Sequence, residues 1–167
     1  KEDAAISIEC NPGTLTLNKL LTYRDAGVNR LSIGLQSTND EELKLLGRIH
    51  TYDQFVKNYE MARNVGYKNI SVDLMYGLPQ QTTEKYLDTV NRIVRLKPDH
   101  ISAYSLIVEK GTPFYEKYKF DMVKQEAGMR TEFLPNEDEL YEMEKAGQAQ
   151  LFDAGYKQYE ISNYAKN

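Results

Sequence analysis

A short phrase recurs three times in this 167-residue chain and restricts its fold more than any other feature of the sequence. Each copy joins the end of a helical pattern to a glycine and then to a strand-like pattern, and the copies begin at Ala26-Gly27, Val65-Gly66 and Ala154-Gly155. Glycine is favoured just past a helix end because it adopts left-handed backbone angles without steric cost. Strands and helices that alternate through short connections form parallel sheets with right-handed crossovers. The repeat therefore predicts an α/β fold, a partial (β/α) barrel with parallel strands.

Apolar alternation and turn residues predict five strands, at residues 6–10, 30–36, 70–75, 101–108 and 159–161. Helix-capping patterns predict helices after Thr16, Thr51, Thr82 or Thr83, Thr112 and Asn136, with a short helix at 40–46. We expect β/α repeats over residues 1–119, a mobile connection over 120–135 and a final helix-strand unit over 136–167. A complete eight-unit barrel needs about 250 residues, so five strands should leave this one open.

Charge and hydropathy exclude several classes of protein. The net charge of -4 argues against a nucleic-acid surface, although it leaves open a local basic site for a small anion. No apolar stretch approaches the ~20 residues that span a bilayer, and the N-terminus does not resemble a signal peptide. We expect a cytoplasmic protein without a membrane span. Because the chain begins in a strand pattern without a methionine, we also expect it to be a piece of a longer protein.

The chain has too few cysteines and histidines to build a metal site from these residues alone. Cys10 is the single cysteine, which excludes an internal disulfide and a multi-cysteine site within this chain. His50 and His100 make no metal site without further ligands. Both histidines are expected to be structural, and we predict no metal ligand in this chain.

Asp73 stands inside an otherwise apolar strand pattern that Tyr76-Gly77-Leu78-Pro79 then breaks. The carboxyl ends of parallel strands are where ligands bind in α/β folds, so this acid is a candidate acceptor for a ligand's hydroxyl or amine groups. The alternative is that Asp73 caps backbone N–H groups at the turn. The sequence around Asp73 alone gives the two interpretations equal weight.

Three further polar residues are predicted at the same edge of the sheet. Glu9 and Gln36 end their strands, and Arg48 lies in the loop after the second strand. A guanidinium can bind a carboxylate, while acids and an amide can bind an amine and ribose hydroxyls. This set suits an amino-acid-bearing nucleoside. Taken singly, Arg48 is more often a surface ion-pair partner and Gln36 more often a turn residue.

Long sequence words extend this pattern over nearly the whole chain and resemble the oxygen-independent coproporphyrinogen III oxidase family of radical S-adenosylmethionine (SAM) proteins. The matching words are Ile8-Glu9-Cys10-Asn11-Pro12-Gly13, residues 29–37, Leu46-Gly47-Arg48-Ile49-His50, Asp73-Leu74-Met75-Tyr76-Gly77-Leu78-Pro79, residues 100–106 and Gly111-Thr112-Pro113-Phe114-Tyr115. The words at 101–106 and 158–166 resemble the haem-chaperone branch more than the authentic oxidase.

This resemblance implies a SAM-binding role for particular residues. Glu9, Gln36, Arg48 and Asp73 match the family's SAM-binding positions, and Ile107 matches a position that contacts SAM through its backbone. Family members bind a [4Fe–4S] cluster through a CxxxCxxC motif, which this chain lacks, as it lacks the glycine-rich segment that holds the methionine amino group. The resemblance therefore implies a fragment of a TIM-like radical SAM barrel, with the cluster ligands in the full-length parent.

The resemblance also implies a tetrapyrrole partner, either coproporphyrinogen III or haem. The main expectation is oxidative decarboxylation of coproporphyrinogen III to protoporphyrinogen IX. The alternative is a haem chaperone that transfers haem to a respiratory acceptor protein and has no oxidase activity. Tyr76 and Tyr104 are candidates to face a tetrapyrrole, or they pack under the helices. An unrelated barrel enzyme acting on a phosphorylated sugar is disfavoured because no glycine-rich phosphate loop opens a helix. We expect this fragment alone to be inactive.

Overall fold

The computed structural model describes residues 4–166, which form an α/β structure of six helices and six strands within that range. In chain order the elements are β1 (Ser7–Cys10), α1 (Leu17–Asp25), β2 (Arg30–Gln36), α2 (Asp40–Leu45), α3 (Tyr52–Val65), β3 (Asn69–Tyr76), α4 (Thr83–Leu96), β4 (His100–Ser105), α5 (Pro113–Glu126), α6 (Glu137–Asp153), β5 (Tyr156–Glu160) and β6 (Asn163–Lys166).

The sheet has the strand order β1-β2-β3-β4-β6-β5. Strands β1 to β4 are parallel and follow the chain order, as the repeat predicts for successive β/α units. The end of the chain departs from the prediction, because β5 and β6 form an antiparallel hairpin and β6 also pairs antiparallel with β4. The predicted single strand at 159–161 is therefore wrong, and the sheet is parallel only over its first four strands.

Two predicted boundaries also need correction. Strand β4 ends at Ser105 rather than Val108. Residues 120–126 belong to α5 rather than to the predicted connection. Asp121 on α5 accepts hydrogen bonds from the backbone N–H groups of Glu132, Phe133 and Leu134, so the segment after the helix is attached to it.

One face of the sheet carries the helices and the apolar core. The core side chains of β2, β3 and β4 are Leu31, Ile33, Leu35, Ile70, Val72, Leu74, Ile101 and Ala103, and they pack with buried residues of α1, α3, α4 and α6. Helices on a single face, with strands in sequential order, are what a (β/α) barrel requires, whereas a doubly wound sheet has helices on both faces. The partial-barrel fold class is confirmed.

The repeated glycines act as predicted. Gly27, Gly66 and Gly155 each follow a helix with φ between 85° and 102°, a conformation that other residues rarely adopt. Beside the turn at Gly66, the side chain of Arg63 joins the end of α3 to the neighbouring β/α unit. Its guanidinium donates to the carbonyls of Tyr67, Lys68 and Lys97 and lies 2.8 Å from Asp99 Oδ2. Asp99 in turn accepts from the N–H of Ile70.

Within residues 4–166, the structure contains no helix with both the length and the apolar character that crossing a membrane requires.

The contact between α4 and α6 leads to a prediction about stability. A Cβ atom on Gly147 of α6 would lie 2.6 Å from Cε1 of Tyr86, a fully buried ring on α4. Gly147→Ala should therefore destabilise the protein by about 1–3 kcal/mol, although alanine is the better helix former. Thermal unfolding should show a melting temperature lowered by about 2–4 °C per kcal/mol. Tyr86→Leu combined with Gly147→Ala should cost less than the sum of the single variants. An increase in melting temperature for Gly147→Ala would contradict this packing.

Candidate functional site

The face of the sheet opposite the helices is polar, and strand register explains why. Asp73 on β3 pairs with Gly34 on β2 and with Ser102 on β4, while Ser102 pairs with Asn163 on β6. Register partners point to the same face, and so do residues two apart along a strand. A cleft of about 670 Å³ lies against this face, lined by Glu9, Cys10, Asn11, Arg30, Ser32, Gly34, Gln36, Arg48, Asp73, Ser102 and Tyr104.

Asp73 lies within β3, with its side chain in the cleft. Ser32 Oγ donates to its two carboxylate oxygens at 3.3 and 3.4 Å. Burial raises the pKa of Asp73, the hydroxyls of Ser102 and Ser32 partly offset this, and the nearby Glu9 raises the pKa further. The hydroxyl hydrogen of Ser102 is donated to Asn163 Oδ1 at 3.0 Å. Among the described residues, Asp73 caps no backbone N–H group, so the turn-capping alternative is wrong.

Gln36 occupies the most unusual backbone position of the cleft. Its φ is 77°, which is uncommon outside glycine, and it follows a register shift between β2 and β3. The side chain is only 3% exposed, and its Oε1 accepts from the hydroxyl of Tyr104 at 2.9 Å. A Cβ on Gly34 would lie 3.1 Å from Gln36 Nε2, so Gly34 leaves the space that this amide occupies. Strained backbone of this kind is concentrated at functional sites.

Glu42 joins the two loops that follow β2 and β3. Its side chain is buried, and Oε2 accepts from Ser37 Oγ at 2.6 Å and from Gln81 Nε2 at 3.1 Å. Gln81 also accepts from the N–H of Leu78 through its side-chain oxygen. The segment after Gln36 is thus attached to the segment after β3, on the carboxyl side of the cleft.

Arg48 and Glu9 complete the charged lining. Arg48 Nη1 donates to Asn11 Oδ1 at 3.1 Å, and no carboxylate of the described residues forms an ion pair with it. Glu9 is exposed on β1 and lies beside Ser32 in register. The alternative of a surface ion pair for Arg48 is therefore not seen within residues 4–166, and its guanidinium lines the cleft.

Ile107 lies apart from the four polar residues. It follows the end of β4 by two residues, its side chain is 79% exposed, and it does not line the cleft. Its contact through the backbone stays a prediction.

The sequence did not single out several residues of the cleft. Ser32, Ser102, Asn11 and Arg30 line it, and Arg30 stands at its amino side. Period-two alternation of Arg30, Ser32 and Gly34 with Leu31, Ile33 and Leu35 was the available signal, since it separates a polar face from an apolar one. Tyr104 lies in the cleft, whereas Tyr76 packs 5.3 Å, centroid to centroid, from the ring of Tyr86.

The two histidines lie outside the cleft, and Cys10 lines it without adding a charged side chain. His50 is buried, with Nε2 3.4 Å from the carbonyl of Leu35. His100 contacts Ser71 and Tyr159, and burial together with the charge of Arg30 lowers its pKa. Burial raises the pKa of the Cys10 thiol to about 11, so this residue is protonated at neutral pH. Among the described residues, no three His, Cys, Asp or Glu side chains form a potential metal site.

The cleft can bind a ligand that carries both a negative group and several hydrogen-bond donors. Arg48 offers a guanidinium to a carboxylate, and Asp73, Glu9 and the amide of Gln36 offer oxygen acceptors to hydroxyl or ammonium groups. All four side chains line one cavity, as the sequence predicts from the ends of successive parallel strands.

Comparison with protein families gives a match to the model described as Radical SAM superfamily, over residues 1–93. The heme chaperone HemW of Escherichia coli K12 is 40% identical over 98% of this chain, and HemW of Bacillus subtilis 168 is 39% identical over 96%. Mouse Radical S-adenosyl methionine domain-containing protein 1, mitochondrial, is 40% identical over 99% of the chain. The chain spans 40% of the length of each HemW and 35% of the mouse protein.

Solved structures show the same fold. The structure titled as coproporphyrinogen III oxidase (HemN) from Escherichia coli, a radical SAM enzyme, aligns with a TM-score of 0.82 at 28% identity, covering 99% of this chain and 36% of that one. Archaeal Elp3 from Methanocaldococcus infernus aligns with a TM-score of 0.72 at 24% identity, covering 87% of this chain and 32% of that one, which shows the fold alone.

The raised pKa of Asp73 predicts how stability depends on pH. Burial disfavours the charged form of Asp73 in the folded state. The free energy of unfolding is therefore lowered at pH values above the folded-state pKa, and this loss disappears in acid, where Asp73 is protonated in both the folded and the unfolded state. Asp73→Asn should therefore raise the melting temperature at neutral pH, with the gain shrinking as the pH falls toward the ordinary aspartate value. Melting temperatures between neutral and acid pH measure this.

Asp121→Asn is the matched control with the opposite sign. Burial alone would raise the pKa of Asp121, but three backbone N–H donors lower it overall. This substitution should destabilise the protein at neutral pH, and the loss should fade in acid. The same change in melting temperature with pH in the two variants would exclude a cost of burying the Asp73 carboxylate.

Proposed function

We propose that the cleft at the carboxyl ends of β1 to β3 binds SAM, because this chain belongs to the radical SAM superfamily. The observation that carries the proposal is that Glu9, Gln36, Arg48 and Asp73, which come from four separate segments, line the same cavity. In this assignment Arg48 binds the methionine carboxylate, while Gln36 and Asp73 bind ribose hydroxyls. Glu9 is the acid available to an amine.

The chain's own residues are arranged to orient the ligand. The buried amide of Gln36 is held by the hydroxyl of Tyr104, and the carboxylate of Asp73 by that of Ser32, so both acceptors are positioned before a ligand arrives. Preorganised polar groups lower the cost of binding and orientation. When it is bound beside a reducing iron–sulfur cluster, SAM supplies one-electron radical chemistry.

The described residues fit SAM but do not fit a [4Fe–4S] cluster. Cluster ligands are thiolates, and Cys10 is buried on β1 with a pKa raised to about 11. No step of a reaction is therefore assigned to this chain through a cluster.

For the full-length protein we propose a haem chaperone, the alternative of the two tetrapyrrole functions that the sequence suggests. Three relatives named heme chaperones are 38–40% identical to this chain, and the chain spans 40% of the length of each. Their names support haem as the cargo. Delivery to a respiratory acceptor protein and a cytoplasmic location belong to the same proposal. The oxidase is the second candidate, and the TM-score of 0.82 to the coproporphyrinogen III oxidase supports it.

SAM binding can be tested by substitution in the full-length protein. Arg48→Ala and Asp73→Asn should each weaken SAM binding by about 10- to 100-fold, because each removes a hydrogen-bonding partner of a charged or polar ligand group. Isothermal titration calorimetry measures the dissociation constants. Arg95→Ala and Asp25→Asn change exposed residues away from the cleft and should leave the affinity unchanged. Unchanged affinity in Arg48→Ala and Asp73→Asn would show that SAM binds elsewhere.

The choice between chaperone and oxidase needs the full-length protein reconstituted anaerobically with iron and sulfide. Given reductant, SAM and coproporphyrinogen III, a haem chaperone should form no protoporphyrinogen, while titration with haem should show saturable binding. Chromatography of the porphyrinogens and absorption spectra of bound haem are the two measurements. Protoporphyrinogen formed together with 5′-deoxyadenosine would establish the oxidase instead.

A further inference from the structure

Ser37 fixes the backbone next to Gln36, the cleft residue with a φ of 77°. Its side chain is fully buried, and its Oγ donates to Glu42 Oε2 at 2.6 Å. The same Oγ accepts from the backbone N–H of Asn39 at 2.9 Å. Hydrogen bonds to a carboxylate are among the strong ones in proteins. The peptide that follows Gln36 is therefore held in place by Glu42, a residue that does not itself line the cleft.

Glu42 is itself fixed from a second direction. It lies in the first turn of α2 with only 5% of its surface exposed, and Gln81 Nε2 donates to the same Oε2 atom at 3.1 Å. The side-chain oxygen of Gln81 accepts from the N–H of Leu78 at 3.3 Å, in the loop after β3. Ser37 is thus attached, through one carboxylate oxygen, to the loop of the neighbouring β/α unit.

Stability alone does not account for this carboxylate. Glu42 Oε1 has no hydrogen-bond partner among residues 4–166, so one oxygen of a buried acid is left unsatisfied. Such a group costs free energy, and well-packed apolar side chains often replace buried charges without loss of stability. A costly group that holds a strained residue in place is typical of functional sites. The position of Glu42 beside the strained backbone of Gln36 therefore indicates a role in the cleft.

We propose that Glu42 is a positioning residue for SAM, which acts through Ser37 to keep the side-chain amide of Gln36 in the cleft. This role rests on the proposed SAM site, because Gln36 is one of its four binding residues. Without the hydrogen bond from Ser37 to Glu42, the backbone of Gln36 gains access to the negative φ values that residues with a Cβ prefer. The amide then leaves the cleft, and the hydroxyl of Tyr104 loses its acceptor.

The expected effect on SAM binding has an upper limit. Molecules whose amide has left the cleft bind SAM as the variant Gln36→Ala does. The apparent dissociation constant rises as the fraction of molecules with the amide in place falls, up to the value of Gln36→Ala. Substitution of Glu42 should therefore weaken SAM binding by no more than Gln36→Ala does.

The first test compares two substitutions of Glu42 in the full-length protein by isothermal titration calorimetry with SAM. Glu42→Leu removes the acceptor of Ser37 and should weaken SAM binding by about tenfold. Glu42→Gln keeps one oxygen that can accept from both Ser37 and Gln81, so its affinity should stay within about threefold of the wild type. Ser37→Ala removes the same hydrogen bond from its other end and should weaken binding severalfold, which decides the question if Glu42→Leu fails to fold.

Combined substitutions separate positioning from a general loss of stability. In a Gln36→Ala background, Glu42→Leu should cause no further loss of SAM affinity, since no amide is left to position. In an Arg48→Ala background it should cause the same fold loss as in the wild type. Asp121→Asn is the stability control, because it should lower the melting temperature at neutral pH and leave SAM binding unchanged.

Three results would contradict the proposal. Wild-type SAM affinity in both Glu42→Leu and Ser37→Ala would overturn the role of Glu42, while SAM binding in the cleft would stand. The same fold loss in the Gln36→Ala background as in the wild type would also overturn it, because Glu42 would then act on the cleft as a whole. Unchanged affinity in Gln36→Ala, Arg48→Ala and Asp73→Asn would instead overturn the SAM site on which this role rests.

Discussion

Every functional feature of this chain depends on the parallel register of β1 to β4, which separates two kinds of side chain onto two faces of one sheet. Because Gly34, Asp73 and Ser102 are direct partners across three strands, polar groups that lie far apart in sequence form one row. The alternating residues between them face the helices and form the apolar core. A slip of one residue in β3 would place Asp73 among the core leucines and bring the core side chains of that strand to the polar face. The core therefore enforces the geometry of the cleft.

Two energetic costs of the structure lie in the cleft that the core positions. Asp73 is an acid whose pKa is raised by burial, and Gln36 has a backbone conformation that is unfavourable for a residue with a Cβ. Neither is required for the core to pack. Local features that oppose stability and are kept in place by their surroundings mark functional sites more often than structural ones. The surroundings here are Gly34, which leaves space for the amide, and Tyr104, which holds it.

The sequence predicted the first four strands and the family because those features are encoded locally. Helix-closing glycines, capping residues such as Thr51 and Asn136, and long family words all lie within a few residues of what they specify. It failed at the β5–β6 hairpin, since whether a last strand pairs parallel or antiparallel depends on contacts with β4 that no local pattern contains. The serines of the cleft were missed for a related reason: Ser32 and Ser102 acquire a role only when register places them beside Asp73. Ile107 came from the resemblance alone, and its side chain does not line the cleft.

The guanidinium of Arg63 has a consequence for the motions of the chain. From its place on α3 it bonds to the connection between α3 and β3 and to the connection between α4 and β4, so it links two successive β/α units. If either unit opened alone, Arg63 or its acceptors, the carbonyl groups and the Asp99 carboxylate, would lose hydrogen-bond partners while still partly buried. Such a loss costs free energy. These contacts couple the two units more closely than the modules of a solenoid need to be coupled. Opening of one unit therefore carries part of the cost of opening the other.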